Sequence, residues 1–206
     1  MPTESSVGAP PGATVGSRRY LLLGTVSFFL CFMAWGLVGA FAPQFREQFG
    51  LSATETALLV AFPVLLGSLA RIPMGMLTDR FGGRLVFTVL MLASAAAAAT
   101  VPLQVSYTAL LMNAFLLGLA GASFAVGVPF VASWTPPERR GGALGIYGLG
   151  TGGQSAAVFL GPLVGAAIGM TSFFRATAAI LIVWALIAGR RWRRPGSVHR
   201  WPHAMI

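Results

Sequence analysis

Residues 57–77 read Ala57-Leu-Leu-Val-Ala-Phe-Pro-Val-Leu-Leu-Gly-Ser-Leu-Ala-Arg71-Ile-Pro-Met-Gly-Met-Leu77. Apart from Arg71 and Ser68, every side chain in this stretch is apolar or small. An α-helix crosses the hydrocarbon core of a bilayer with roughly 20 such residues. Arg71 stands well inside that length, where inserting an arginine costs roughly 2.5–3.5 kcal/mol. A charge that expensive is kept where it lines a pathway or grips something negative. The stretch therefore reads as a transmembrane helix that carries a candidate functional residue.

The rest of the chain agrees with that reading. Of its 206 residues 56% are hydrophobic and only 9% charged, and the mean hydropathy is +0.77. A soluble chain carries about 25% charged residues, so this is a polytopic membrane protein with lipid around most of its surface. The net charge of +9 comes entirely from arginine, without lysine. It is read as topogenic charge rather than as a nucleic-acid patch. The single cysteine, Cys31, lies in an apolar span and excludes an intrachain disulfide. His199 and His203 sit in a polar tail with no second Cys or His cluster, so neither a metal site nor a cofactor is expected.

Six apolar segments are predicted: Tyr20–Ala42, Ala57–Leu77, Leu85–Leu103, Tyr107–Trp134, Gly142–Ile168 and a short Phe173–Ile187. Residues 1–17, rich in Pro, Gly, Ser and Thr, form a disordered tail in this reading. Residues 18–188 form the membrane domain and residues 189–206 a basic C-terminal tail. Arg18, Arg19, Arg80, Arg84, Arg139, Arg140 and the tail arginines fall on one side of the membrane, against Arg46 and Arg175 on the other. The positive-inside rule then places both termini in the cytoplasm, in a multi-pass protein of the inner (plasma) membrane. The tail could alternatively be an anionic-lipid patch. Gly161, Gly165 and Gly169, and Gly148 with Gly152, recur every four residues. Together with the run Ala95–Ala99, they read as stripes along which helices pack closely.

Between the second and third segments stands Gly75-Met-Leu-Thr-Asp79-Arg80-Phe-Gly82-Gly83-Arg84. It resembles the signature loop of the major facilitator superfamily, with Gly83 replacing a basic residue. A carboxylate at a helix end followed by two glycines suits a gating turn, in which Asp79 can pair with arginines or with a facing helix end. The bland alternative is a solvated loop. The segment Gly118-Leu-Ala-Gly-Ala-Ser-Phe-Ala-Val-Gly-Val-Pro-Phe-Val131, followed by Trp134-Thr-Pro-Pro-Glu-Arg-Arg140, looks like the fourth span and loop of the nitrate/nitrite porter family. Gly145-Ile-Tyr-Gly-Leu-Gly-Thr-Gly-Gly-Gln154 is similar to that family's fifth-span signature, though Thr151 or Gly152 stands where an Asn is usual. The resemblance covers residues 20–185. It implies an all-α fold of six transmembrane helices, one half of a major facilitator transporter, and a small inorganic anion, nitrate or nitrite, as substrate.

Nitrate is planar and delocalised, and the planar guanidinium fork can meet two of its oxygens at once. By resemblance, Arg71 matches the second-span arginine that grips substrate. Gly67, Ser68, Gly75 and Thr78 lie near it at helical spacings and suit a small polar cavity. Otherwise Arg71 snorkels to the surface about 9 Å away, at 1.5 Å per residue. Tyr147, Thr151 and Gln154 share a face that supplies neutral donors to an anion or bonds between helices. Asn113 has the same two readings. Phe28, Phe32 and Trp35 form either an aromatic wall for a flat anion or packing.

The length holds one six-helix half, whereas substrate in such transporters lies between two halves. One reading makes the chain a transport module that pairs with a separate C-terminal half or a second copy. The other makes it a non-transporting remnant or an interaction subunit, since the residues after Ile187 read as a frame change or premature end. No carboxylate pair, Ser–His–Asp set, metal cluster or phosphate loop points to an enzyme.

Overall fold

The computed structural model of the chain describes residues 13–191. Regular structure among them is helical throughout, as lipid demands, because a helix satisfies each backbone donor and acceptor within its own segment. Six helical runs are long and apolar enough to cross a membrane: Arg18–Ala40, Ala53–Phe81, Gly83–Leu103, Tyr107–Ser133, Pro137–Ile168 and Met170–Arg191. All six predicted segments correspond to these runs, with three corrections. The first helix, α1 (Ala13–Ala40), begins inside the stretch read as a disordered tail. Once the apolar segment is helical, each further residue needs only propagation, not a new nucleus. The second run starts four residues earlier than predicted, because Ser52 and Glu55 form a reciprocal capping box that satisfies the first orphan donors. The sixth is a full-length helix of 22 residues rather than a short one. Residues 1–12, and residues 192–206 with His199 and His203, lie outside the described residues.

A short helix, α2 (Ala42–Phe49), joins the first two spans and was not predicted. Its signals are Pro43 in the first turn and Gly50 after the last, the latter at φ +63, a left-handed cap that favours glycine.

Three spans are broken near their middles. The second divides into α3 (Ala53–Leu69) and α4 (Arg71–Phe81) at Ala70. Pro73 explains the break, because it has no N–H for the Leu69 carbonyl and its ring crowds that carbonyl. The third span is α5 (Gly83–Thr100) with one further turn. The fourth passes from α6 (Tyr107–Leu117) through a 3-10 stretch, Gly118–Ala122, to α7 (Ser123–Ser133). The fifth passes from α8 (Arg140–Gly148) through Leu149–Thr151 to α9 (Gly152–Ile168). The sixth is α10 (Met170–Arg191). Both 3-10 stretches are glycine-containing, and a mid-helix change of winding of this kind often marks a hinge.

Glycine contacts order the spans. A Cβ on Gly67 of the second span would meet the Gly118 carbonyl oxygen of the fourth at 2.9 Å, and Gly121 in turn lies against the Trp35 indole of the first. Gly36 of the first lies against Gln154 and Ala157 of the fifth, and Gly153 against the Phe29 backbone. The second, fourth, first and fifth spans therefore stand side by side in that order. The third and sixth pack together behind them, Gly189 resting on Thr88. Such approaches replace the hydrophobic drive that lipid removes. Gly161 and Gly165 pack on Phe41 as the stripe reading expected. Gly169 does not, since it turns the chain between α9 and α10 at φ +87. Gly148 faces open space, and the close packer beside it is Gly150, against Phe28.

Candidate functional site

Arg71 is the first residue of α4, directly after the break. Gly67 and Thr78 at related helical positions are buried, yet Arg71 is exposed and a Cβ on Gly75 would meet nothing within 4 Å. The second span is thus locally open at this level. Among the described residues Arg71 has no hydrogen-bond or ion-pair partner. Its charge is consequently unneutralised within a membrane-spanning segment. Thr78 does not add a free donor, because its hydroxyl donates to the Met74 carbonyl at 2.7 Å.

The fifth-span trio divides. Tyr147 is fully buried; its hydroxyl donates to the Ser123 carbonyl at 3.0 Å, and its ring stacks on Phe28 at 4.7 Å. Thr151 and Gln154 are exposed. The Thr151 hydroxyl donates to the Gly148 carbonyl, which leaves its oxygen lone pairs outward. The Gln154 stem crosses Gly36, and its amide has no hydrogen bond among the described residues. Phe28 and Phe32 are also buried, with ring centroids 4.4 Å apart. Neither lines open space among the described residues. Asn113 is buried and donates to the Thr100 hydroxyl at 2.7 Å, a contact between the fourth and third spans.

Phe124 was absent from the sequence reading. It is 42% exposed and touches both Phe28 and Tyr147 with its ring. Its signal was faint: one aromatic in a glycine- and alanine-rich segment, recognisable only once three spans meet. The Trp35 indole N–H, also without a hydrogen-bond partner among the described residues, lies beside Gly121 on the same row of spans.

The signature loop is tighter than a loop. Asp79 and Arg80 lie in the last turn of α4, Arg84 lies in the first turn of α5, and only Gly82 separates the helices, at φ +84. Gly83 serves another purpose, since a Cβ there would meet Phe130 at 3.0 Å. Asp79 makes no ion pair among the described residues, and the Arg80 guanidinium lies over the Phe81 ring at 5.4 Å.

Comparison with known proteins places this arrangement. A probable nitrate/nitrite antiporter of Thermus thermophilus, NarK1, is 42% identical over 73% of the chain and 34% of its own length. A probable nitrate/nitrite transporter of Mycobacterium tuberculosis, NarK2, is 37% identical over 84% of the chain and 45% of its own length. A nitrite extrusion protein of Bacillus subtilis is 36% identical over 81% of the chain and 42% of its own length. The chain thus spans less than half the length of these curated relatives. The inward-facing, unoccupied crystal structure of a bacterial homologue of the human lysosomal transporter Spinster superposes with a TM-score of 0.76 at 19% identity. It covers 96% of the chain and 47% of its own. The Major Facilitator Superfamily profile matches residues 24–203. Six membrane-spanning helical runs, three of them broken near the middle, thus make a half-transporter fold, and the chain belongs to the Major Facilitator Superfamily.

Proposed function

We propose that this chain forms one wall of a translocation pathway for nitrate or nitrite, with Arg71 as the residue that grips the anion. The observation that carries the reading is the charge of Arg71, unpartnered among the described residues, in a locally open part of a membrane span. A buried or lipid-facing cation without a counter-ion is costly, and a bound monoanion removes that cost each time the site fills. The names of the relatives supply the class of anion. Gln154 and the exposed edge of Phe124 are the candidate neutral contacts, and Thr151 joins them only by turning its hydroxyl away from the Gly148 carbonyl. Tyr147, Phe28 and Phe32 hold the first, fourth and fifth spans in register behind them.

The opposite wall comes from a second six-helix half, a separate chain or a second copy. The protein works as a transporter module, not an enzyme, in the inner membrane with both termini cytoplasmic, as the arginine asymmetry favours. Asp79 and Arg80, held by the one-residue turn at Gly82, then lie where a gate between halves must close.

Uptake of nitrate into proteoliposomes tests this. The chain alone is expected to give little uptake, and co-reconstitution with a C-terminal six-helix half to restore it. In the restored system Arg71→Ala abolishes uptake, and Arg71→Lys loses most of it, because charge is kept but bidentate reach is lost. Uptake that survives Arg71→Ala would sink the proposal.

A further inference from the structure

At the arginine-rich end, the turn between the second and third spans opens onto a cavity of about 1060 Å³. Its far walls are the ends of α7 and α10. Arg80, Arg84 and Arg190 line it, against the single carboxylate of Asp79. None of the three arginines has an ion-pair partner among the described residues. Their placement is built into the packing. Gly189 lets α10 settle on Thr88, with a Cβ there only 3.1 Å from the hydroxyl oxygen, and so brings Arg190 to the cavity wall. Gly83 does the same for Arg84 against Phe130. The first turn of α5, which also lines the cavity, has no capping side chain, so its N–H groups add to the positive field.

The rim of this cavity is apolar. Phe81, Leu85 and Leu186 are about half exposed, and the exposed surface continues away from the end of the bundle through Val89 on α5 and Val183 on α10. A basic hollow that runs into an apolar stripe matches a molecule with a phosphate at one end and hydrocarbon at the other. A free phosphate or nitrate ion would have no use for the stripe. The chain's own C-terminal residues carry Arg193, Arg194 and Arg200 and would meet like charge there.

We propose that this cavity is a headgroup site for an anionic phospholipid of the leaflet at the arginine-rich end. Arg84 and Arg190 hold the phosphodiester, and the acyl chains lie along Leu85, Val89 and Val183. Basic pockets between transmembrane helices take such headgroups by the same electrostatics that draws polybasic segments to anionic membranes. The site is separate from Arg71, so the proposal does not rest on the transport reading.

Native mass spectrometry of the full chain in neutral detergent provides the test, with phosphatidylglycerol and phosphatidylcholine of matched acyl chains and with glycerol phosphate. Phosphatidylglycerol is expected to be retained about tenfold better than phosphatidylcholine. Arg84→Gln with Arg190→Gln weakens it about 25-fold, or roughly fivefold for each arginine. The matched pair Arg46→Gln with Arg175→Gln, at the other end, changes nothing. Asp79→Asn tightens retention by removing the like charge, which keeps the test informative should the double variant fail to fold. Equal retention of the two lipids, no effect of the double variant, weaker retention in Asp79→Asn, or displacement by excess glycerol phosphate would each overturn the proposal. The last outcome would reassign the cavity to free phosphates.

Discussion

Gly153 and Gly145 lie eight residues apart on the fifth span, and replacing each by alanine separates helix propensity from helix packing. At Gly153 the added Cβ collides with the Phe29 carbonyl and comes within 2.8 Å of the Met33 nitrogen. Ordinary contact begins near 3.4 Å, so α9 must retreat from α1 by at least about 0.6 Å. The atoms in the way are backbone, which cannot rotate aside. Overpacking of this kind costs typically about 1–3 kcal/mol, and here it also loosens Gly36 from Gln154 along the same seam. At Gly145 a Cβ meets nothing within 4 Å. There the change should gain up to about 1 kcal/mol, because alanine favours the helix over glycine. The expected difference between the two variants is therefore about 1–4 kcal/mol. Apparent unfolding midpoints in detergent, followed by tryptophan fluorescence, should fall for Gly153→Ala and hold or rise for Gly145→Ala. A Gly153→Ala protein as stable as the parent, or a reversed order, would refute the close approach of the first and fifth spans.

Tyr147→Phe should lower stability by about 1 kcal/mol, the net worth of one buried hydrogen bond. In the restored transport system it should leave the apparent nitrate KM near the parent's, because the lost bond is to the Ser123 carbonyl and not to an anion. A large rise in KM would place the hydroxyl in the pathway instead. Gly82→Ala should cost about 1–3 kcal/mol, since φ +84 with ψ 146 is a conformation that is essentially restricted to glycine. Hydrogen exchange should report the cost as faster opening of the amides at the α4–α5 junction. Unchanged exchange there would contradict the one-residue turn.

Arg71 shows how far pattern carried and where it stopped. Its place in an apolar span identifies it as costly, and the fork chemistry names an anion. Whether it is paired is a question about neighbours distant in the chain. Tyr147, Thr151 and Gln154 make the same point: the 3.6-residue period places them on one face, but the shift to 3-10 winding at Leu149–Thr151 turns Tyr147 inward and leaves the other two outside. Phe28 and Phe32 were read as either a wall or packing, and their burial among three spans is a fact that the sequence does not carry.

Hydropathy and arginine placement by themselves determine that the chain is six membrane helices with a charge-rich end. Both depend only on transfer of local side chains between water and lipid, and the signature at Gly75–Arg84 adds the family. Tertiary structure alone decided which glycines bring backbones together and that the arginines of three separate segments meet around one cavity. Those outcomes come from short-range packing between residues far apart in sequence, and no local preference encodes them.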